Sequence, residues 1–213
     1  MNRNWIVGFG LFVGLTAVEA RADLIIQVGR SVVQPAENLL YNEDGLADDG
    51  NPVQGATNKT KEIYNIYGNE NLTTPSGGQA RVEAVDGGFN YALLDALRPE
   101  IFFTEYEANL KLASGASGSA TVTACNQFGE CESLTFDIGN GENTFTVTSH
   151  DGQLINTVAV STTVDLHDIR QIRLGGVQRG GNGSHNVPEP ATTALMGLAL
   201  VGMACYSRRR RSS

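Results

Sequence analysis

SATVTACNQFGECESLTFDIGNGENTFTVTS, residues 119–149, alternates β-branched or aromatic side chains with small and polar ones and breaks only at NQFGE and GNGEN. A period of two puts every second side chain on one face, which suits a half-buried strand. Strands over 119–125, 134–138 and 143–149, joined by short turns, follow from this pattern. The same texture extends outward. LINTVAVSTTV (154–164) comes after the turn SHDG, and DIRQIRLGGV (168–177) closes the region. Upstream, DLIIQVGRSVV (23–33), EIYNIYG (62–68), QARVEAV (79–85) and EIFFTEYEANLKLA (100–113) give four more strands. Roughly nine or ten short strands punctuated by turn residues predict an all-β domain over 23–177, specifically a two-sheet β-sandwich of jelly-roll type.

Two stretches resist that reading. In FNYALLDALRP (89–99), Leu93, Leu94 and Leu97 sit at helical spacing before Pro99, and a strand with a following turn competes with a short helix. NLLYNEDGLADDGNPVQGATNKTK (38–61) is polar and aperiodic and reads as a long loop across one end of the sandwich. Long loops on a rigid scaffold are where binding residues concentrate.

Cys125 and Cys131 flank the turn of the opening stretch. Opposed residues on antiparallel strands bring Cα atoms about 4.5–5.5 Å apart, a separation that a disulfide can span. An oxidising compartment would close the bridge, and its small loop would stabilise the hairpin by roughly 2 kcal/mol.

The chain ends point to such a compartment. MNRNWIVGFGLFVGLTAVEARAD opens with basic Arg3, an uncharged run from Trp5 to Val18, and the small-x-small triplet Ala20-Arg21-Ala22. It reads as a signal peptide over 1–22, cut before Asp23. The apolar run spans about 21 Å as a helix, short of a roughly 30 Å bilayer core. Between Asp23 and Pro190, nine Lys and Arg face twenty-two Asp and Glu, a net charge near −13. Such a balance repels phosphates and disfavours nucleic acid as a partner. Arg170, Arg173 and Arg179 cluster in sequence, and a solvated strand face is expected for them over the alternative of an anion site.

Few residues invite catalysis. His150, His167 and His185 share no zinc-type spacing, and SGASGSA (114–120) misses the nucleophile-elbow register because Gly118 directly follows Ser117. Glu105 and Glu107 would share a strand face, which reads as a solvated sheet surface rather than a glycosidase pair. No cofactor is expected. One oxygen-only cluster, Glu43, Asp44, Asp48 and Asp49, suits a structural Ca²⁺ bracing its loop, although the EF-hand spacing is absent and acidic loop residues are commonly just solvated.

The C-terminus carries the most specific signal. After the glycine-rich linker at 178–186 come Val187-Pro188-Glu189-Pro190, an uncharged run from Ala191 to Tyr206, and Arg208, Arg209, Arg210 and Arg211. The run gives about 24 Å of helix, thin for a membrane span but passable when flanking arginines snorkel. The arginines hold the cytoplasmic side and leave the acidic domain outside. Each proline keeps the residue before it extended, so the tetrapeptide at the outer boundary is accessible to a protease.

This arrangement, over residues 187–213, resembles the PEP-CTERM sorting signal. The resemblance implies recognition of Pro188, Glu189 and Pro190 by exosortase, a transmembrane helix over 191–206 and a basic stop over 208–211. It further implies transient residence in the inner membrane of a Gram-negative bacterium that makes exopolysaccharide, then delivery to the cell surface or extracellular matrix. The expected protein is therefore an exported, non-enzymatic surface or matrix protein, with exopolysaccharide as the expected ligand by fold analogy. Tyr64, Tyr67, Tyr91 and Tyr106 are available to stack on sugars, or equally to fill the core. An extracellular polysaccharide hydrolase and an uncleaved single-pass membrane protein are the alternatives.

Overall fold

A computed structural model of the chain describes residues 23–30, 34–41, 43–75, 80–113 and 115–180. The expected signal peptide (1–22), sorting tetrapeptide, tail helix (191–206) and basic stop lie outside the described residues.

The described residues are all-β. In chain order the strands are β1 (Leu24–Val28), β2 (Glu37–Leu40), β3 (Asp49–Gly50), β4 (Val53–Thr57) and β5 (Ile63–Gly68). There follow β6 (Leu72–Thr73), β7 (Arg81–Ala84), β8 (Phe89–Ala96), β9 (Ile101–Phe102) and β10 (Glu105–Leu112). The last five are β11 (Gly118–Asn126), β12 (Cys131–Ile138), β13 (Asn143–Ser149), β14 (Ile155–Gly175) and β15 (Gln178–Arg179).

Thirteen strands form one sheet, ordered β1-β13-β10-β14-β2-β4-β5-β8, with β11 and β12 attached beside β14 and β7, β6 and β3 attached farther along it. β8 pairs back onto β14, so β14, β2, β4, β5 and β8 close a barrel. The expectation of two separate jelly-roll sheets gives way to one sheet closed on itself, and β14 is the reason. LINTVAVSTTV and DIRQIRLGGV, read as two strands, have no glycine or proline between them and form a single strand of 21 residues. Its first half pairs with β11 on one side and β8 on the other. Past an irregularity between Ser161 and Leu166, its second half pairs with β10, β7 and β2.

Alternation does what the opening stretch promises. Ala120, Val122 and Ala124 of β11 are buried, as are Phe145 and Val147 of β13. Residues 89–96 are a strand rather than a helix: Ala92, Leu94 and Ala96 point into the core, while Leu97 lies beyond the strand and is exposed. Hydrophobic alternation outweighs the three leucines at helical spacing. The long loop expected over 38–61 is also interrupted by ladders, since β2 pairs β4 and β4 pairs β5. Leu39, Tyr41 and Val53 anchor it in the core. Gly55 makes this possible, because a Cβ there would come within 2.8 Å of the Tyr41 ring.

A row of rings runs through the interior, from Tyr64 to Phe103, Tyr106, Phe145 and Phe136, with successive centroids 5.6–6.4 Å apart. Tyr64 and Tyr106 are therefore core residues and no part of a sugar-stacking platform. Tyr91 is exposed and Tyr67 half-buried. Gln178 and Arg179, expected to open the linker, instead form β15 against Ile101 and Phe102.

Candidate functional site

The second half of β14 carries an unusual density of charge. On β10, Glu107 and Asn109 are two apart, whereas their partners on β14, Arg173 and Arg170, are three apart. The extra residue marks a β-bulge, and Gln171 takes a left-handed backbone with φ of 55°. In a regular strand, residues three apart face opposite sides; the bulge turns Arg170 and Arg173 to the same side. Arg170 also lies opposite Arg81 of β7, and Asp168 opposite Glu83.

These side chains form one network. Asp168 is fully buried; its Oδ2 lies 3.0 Å from His167 Nδ1 and 3.5 Å from Arg81 Nε, and its Oδ1 lies 3.5 Å from Arg170 Nε. Arg81 reaches Glu83 with its terminal nitrogen. Among the described residues, Glu83, His167 and Asp168 are the group of three acidic, histidine or cysteine side chains whose ligand atoms lie within 4.8 Å of one another. Both carboxylates already face guanidinium groups, so a metal ion there would compete with fixed cations.

The network borders a cleft of about 370 Å³ lined by Asn38, Leu40, Arg81, Arg170, Gln171 and Arg173. Arg173 donates from Nη1 to Gln34 Oε1 at 2.7 Å. Two other surface clefts are acidic in character: one has Asp137 and Glu142 beside Arg30, the other Glu70, Asp86 and Asp165.

The residues singled out by sequence fall as follows. Cys125 and Cys131 are register partners at the end of the β11–β12 ladder and form a disulfide. The turn they flank is organised by buried Asn126, whose Oδ1 accepts from the backbone N–H groups of Phe128 and Glu130. Asp23, the expected first residue after signal cleavage, is exposed, and its carbonyl accepts from the His150 N–H at 2.9 Å. Glu43 pairs with Lys61 at 3.5 Å, Asp44 lies in an exposed turn, Asp48 gives its carbonyl to Thr74, and Asp49 belongs to β3. The structure does not gather three of these four carboxylates into a ligand group. Arg179 sits in β15, apart from the Arg170–Arg173 cleft. Glu107, expected on a solvated face, is 3% exposed instead, and one of its oxygens lacks a hydrogen-bond partner.

Arg81 was not singled out by sequence reasoning. It stands about ninety residues before Arg170 and joins it only through the β7–β14 ladder. The bulge that gathers the arginines is equally silent, because its left-handed position holds glutamine rather than glycine.

The described residues end at Gly180, whose N–H bonds to the Glu100 carbonyl at 2.8 Å. A few residues on, over 186–211, the chain matches the family model described as the PEP-CTERM protein-sorting motif. The chain carries a PEP-CTERM sorting signal. No curated protein matches the chain. The PEP-CTERM match takes in Val187, Pro188, Glu189 and Pro190, the apolar run and all four arginines. It makes exosortase the processing partner and implies export with membrane-associated sorting to the cell surface. The PEP-CTERM signal therefore supplies the address, and the all-β domain is what it delivers.

Proposed function

We propose that this protein is a non-enzymatic component of the cell surface or extracellular matrix, released from the inner membrane when exosortase cuts at its tail, and that its domain acts by holding exopolysaccharide. The observation that carries the reading is the order of parts: an all-β domain stapled by a disulfide, then, a few residues past its last strand, a sorting signal. A disulfide fits an oxidising compartment. Exposed Tyr91, half-buried Tyr67 and the half-buried amide of Gln54 supply rings and an amide of the kind that bind sugars. Engagement of Glu83 and Asp168 by arginines supports binding over hydrolysis.

Intact-mass measurement of the exported protein tests the sorting half of the proposal. The expected mass lacks residues 1–22 and also lacks Arg208–Arg211. A mature mass that retains the four arginines would replace this reading with that of a single-pass membrane protein.

A further inference from the structure

We infer that the cleft between β2, β7 and the second half of β14 is a binding site for a carboxylate-bearing saccharide unit. The inference deepens the polysaccharide-binding reading above and rests on it.

Three observations converge. The domain is strongly acidic, yet three of its few cations, Arg81, Arg170 and Arg173, line one 370 Å³ cleft together with Asn38, Leu40 and Gln171. That size lies at the low end of small-ligand sites. No carboxylate lines it, whereas the two acidic clefts described above are lined by two and three.

The convergence is built rather than incidental. Without the bulge, Arg170 and Arg173 would face opposite sides of the sheet; with it, both line the cleft that Arg81 also lines. The bulge holds a glutamine at φ of 55°, a conformation disfavoured for a residue with a side chain. Such positions persist where the surroundings enforce them, and they cluster at ligand sites.

Beneath the cleft, the charge of buried Asp168 attracts two of the guanidinium groups without hydrogen-bonding their Nε atoms. Arg81 and Arg170 both approach it through Nε at 3.5 Å, which leaves the terminal nitrogens of Arg170 out of that contact. Gln34 fixes the third through Arg173 Nη1. Guanidinium groups held in place match a planar carboxylate in two-point geometry and lose little freedom on binding. The amides of Asn38 and Gln171 suit sugar hydroxyls, and Leu40 offers an apolar wall to the C–H face of a ring.

Titration calorimetry on the full chain in neutral detergent tests this, with oligogalacturonate as the acidic probe and its methyl ester as the same sugar without charge. The expected result is binding of the acid, weakened about tenfold or more by esterification and by rising salt. Arg170→Gln and Arg173→Gln should each weaken binding by about tenfold, Arg173→Lys by less, and Arg179→Gln, which removes the same charge outside the cleft, not at all. Melting curves confirm that each variant is folded, and Gln171→Gly serves as a bulge variant that keeps all three arginines.

Equal binding of acid and ester would overturn the carboxylate site while leaving polysaccharide binding intact. Acid binding unmoved by Arg170→Gln and Arg173→Gln, or lost equally with Arg179→Gln, would remove the cleft as its location. Binding of neither probe, with neutral dextran and cellulose oligomers also unbound, would overturn the polysaccharide reading together with the site.

Discussion

Asp95 lies on β8 between Asn65 of β5 and Thr157 of β14, and burial raises its pKa above the ordinary 3.8, an effect only partly offset by the Ala96 backbone N–H. A carboxyl with a raised folded pKa binds its proton more tightly in the native state. Its cost to stability is therefore absent below the ordinary carboxylate range, develops as pH rises from that range, and is complete above the folded pKa. Asp95→Asn should raise the melting midpoint near pH 7, with the gain closing by about pH 3. An equal gain at both values would show that charge is not the cause. Asn126 makes a different prediction. Besides accepting two backbone N–H groups, its side-chain amide donates to Glu130 Oε2 at 2.9 Å and Gln153 Oε1 at 3.0 Å, all from a fully buried position. Asn126→Ala leaves these partners unsatisfied and should cost about 1–3 kcal/mol in denaturant unfolding. Asn126→Asp keeps the acceptor but sets a buried carboxylate oxygen against Glu130 Oε2 and Gln153 Oε1, and should cost more than Asn126→Ala near pH 7.

Among the elements, the β11–β12 hairpin stands apart. β12 is exposed or half-exposed along most of its length and pairs only with β11; Phe136 and Ile138 anchor its far end on the core, while its first residues rest on that ladder and the Cys125–Cys131 bond. Replacing both cysteines with serine should lower stability by about 2 kcal/mol, the chain-entropy value for so small a loop. The loss should appear first as faster hydrogen exchange in β12 rather than in β14. Protection lost uniformly across the sheet would contradict this. β14 shows the opposite case. It is paired along both sides for much of its length, and substitutions that break it, such as proline at Val158 or Val160, are expected to prevent folding rather than lower a midpoint.

At the scale of the whole molecule, export predicts that a cytoplasmically expressed form keeps Cys125 and Cys131 reduced and melts lower than the exported form, by the increment the cysteine-to-serine pair loses. Thiol labelling before and after export checks it. The strand content was legible because alternation and turn residues act locally, and the hairpin disulfide followed from six residues of separation. Closure of the sheet was not legible. It depends on Leu166 meeting Phe89 and Leu174 meeting Glu37, contacts far apart in sequence with no local signature. The tail, being a linear signal, could be read residue by residue. The cleft could not, since Arg170 and Arg173 come together only through a bulge that glutamine conceals.

The small β15–β9 pairing takes on another meaning for the interval before cleavage, when on the proposed reading the uncut tail holds the protein at the membrane. Any pull on the tail enters the domain at Gln178–Arg179, whose ladder to Ile101–Phe102 is only two residues long. That clip is expected to yield first under load, as a shock absorber would. Behind it the load would meet β14, which is paired with β10, β11 and β8 over many more residues.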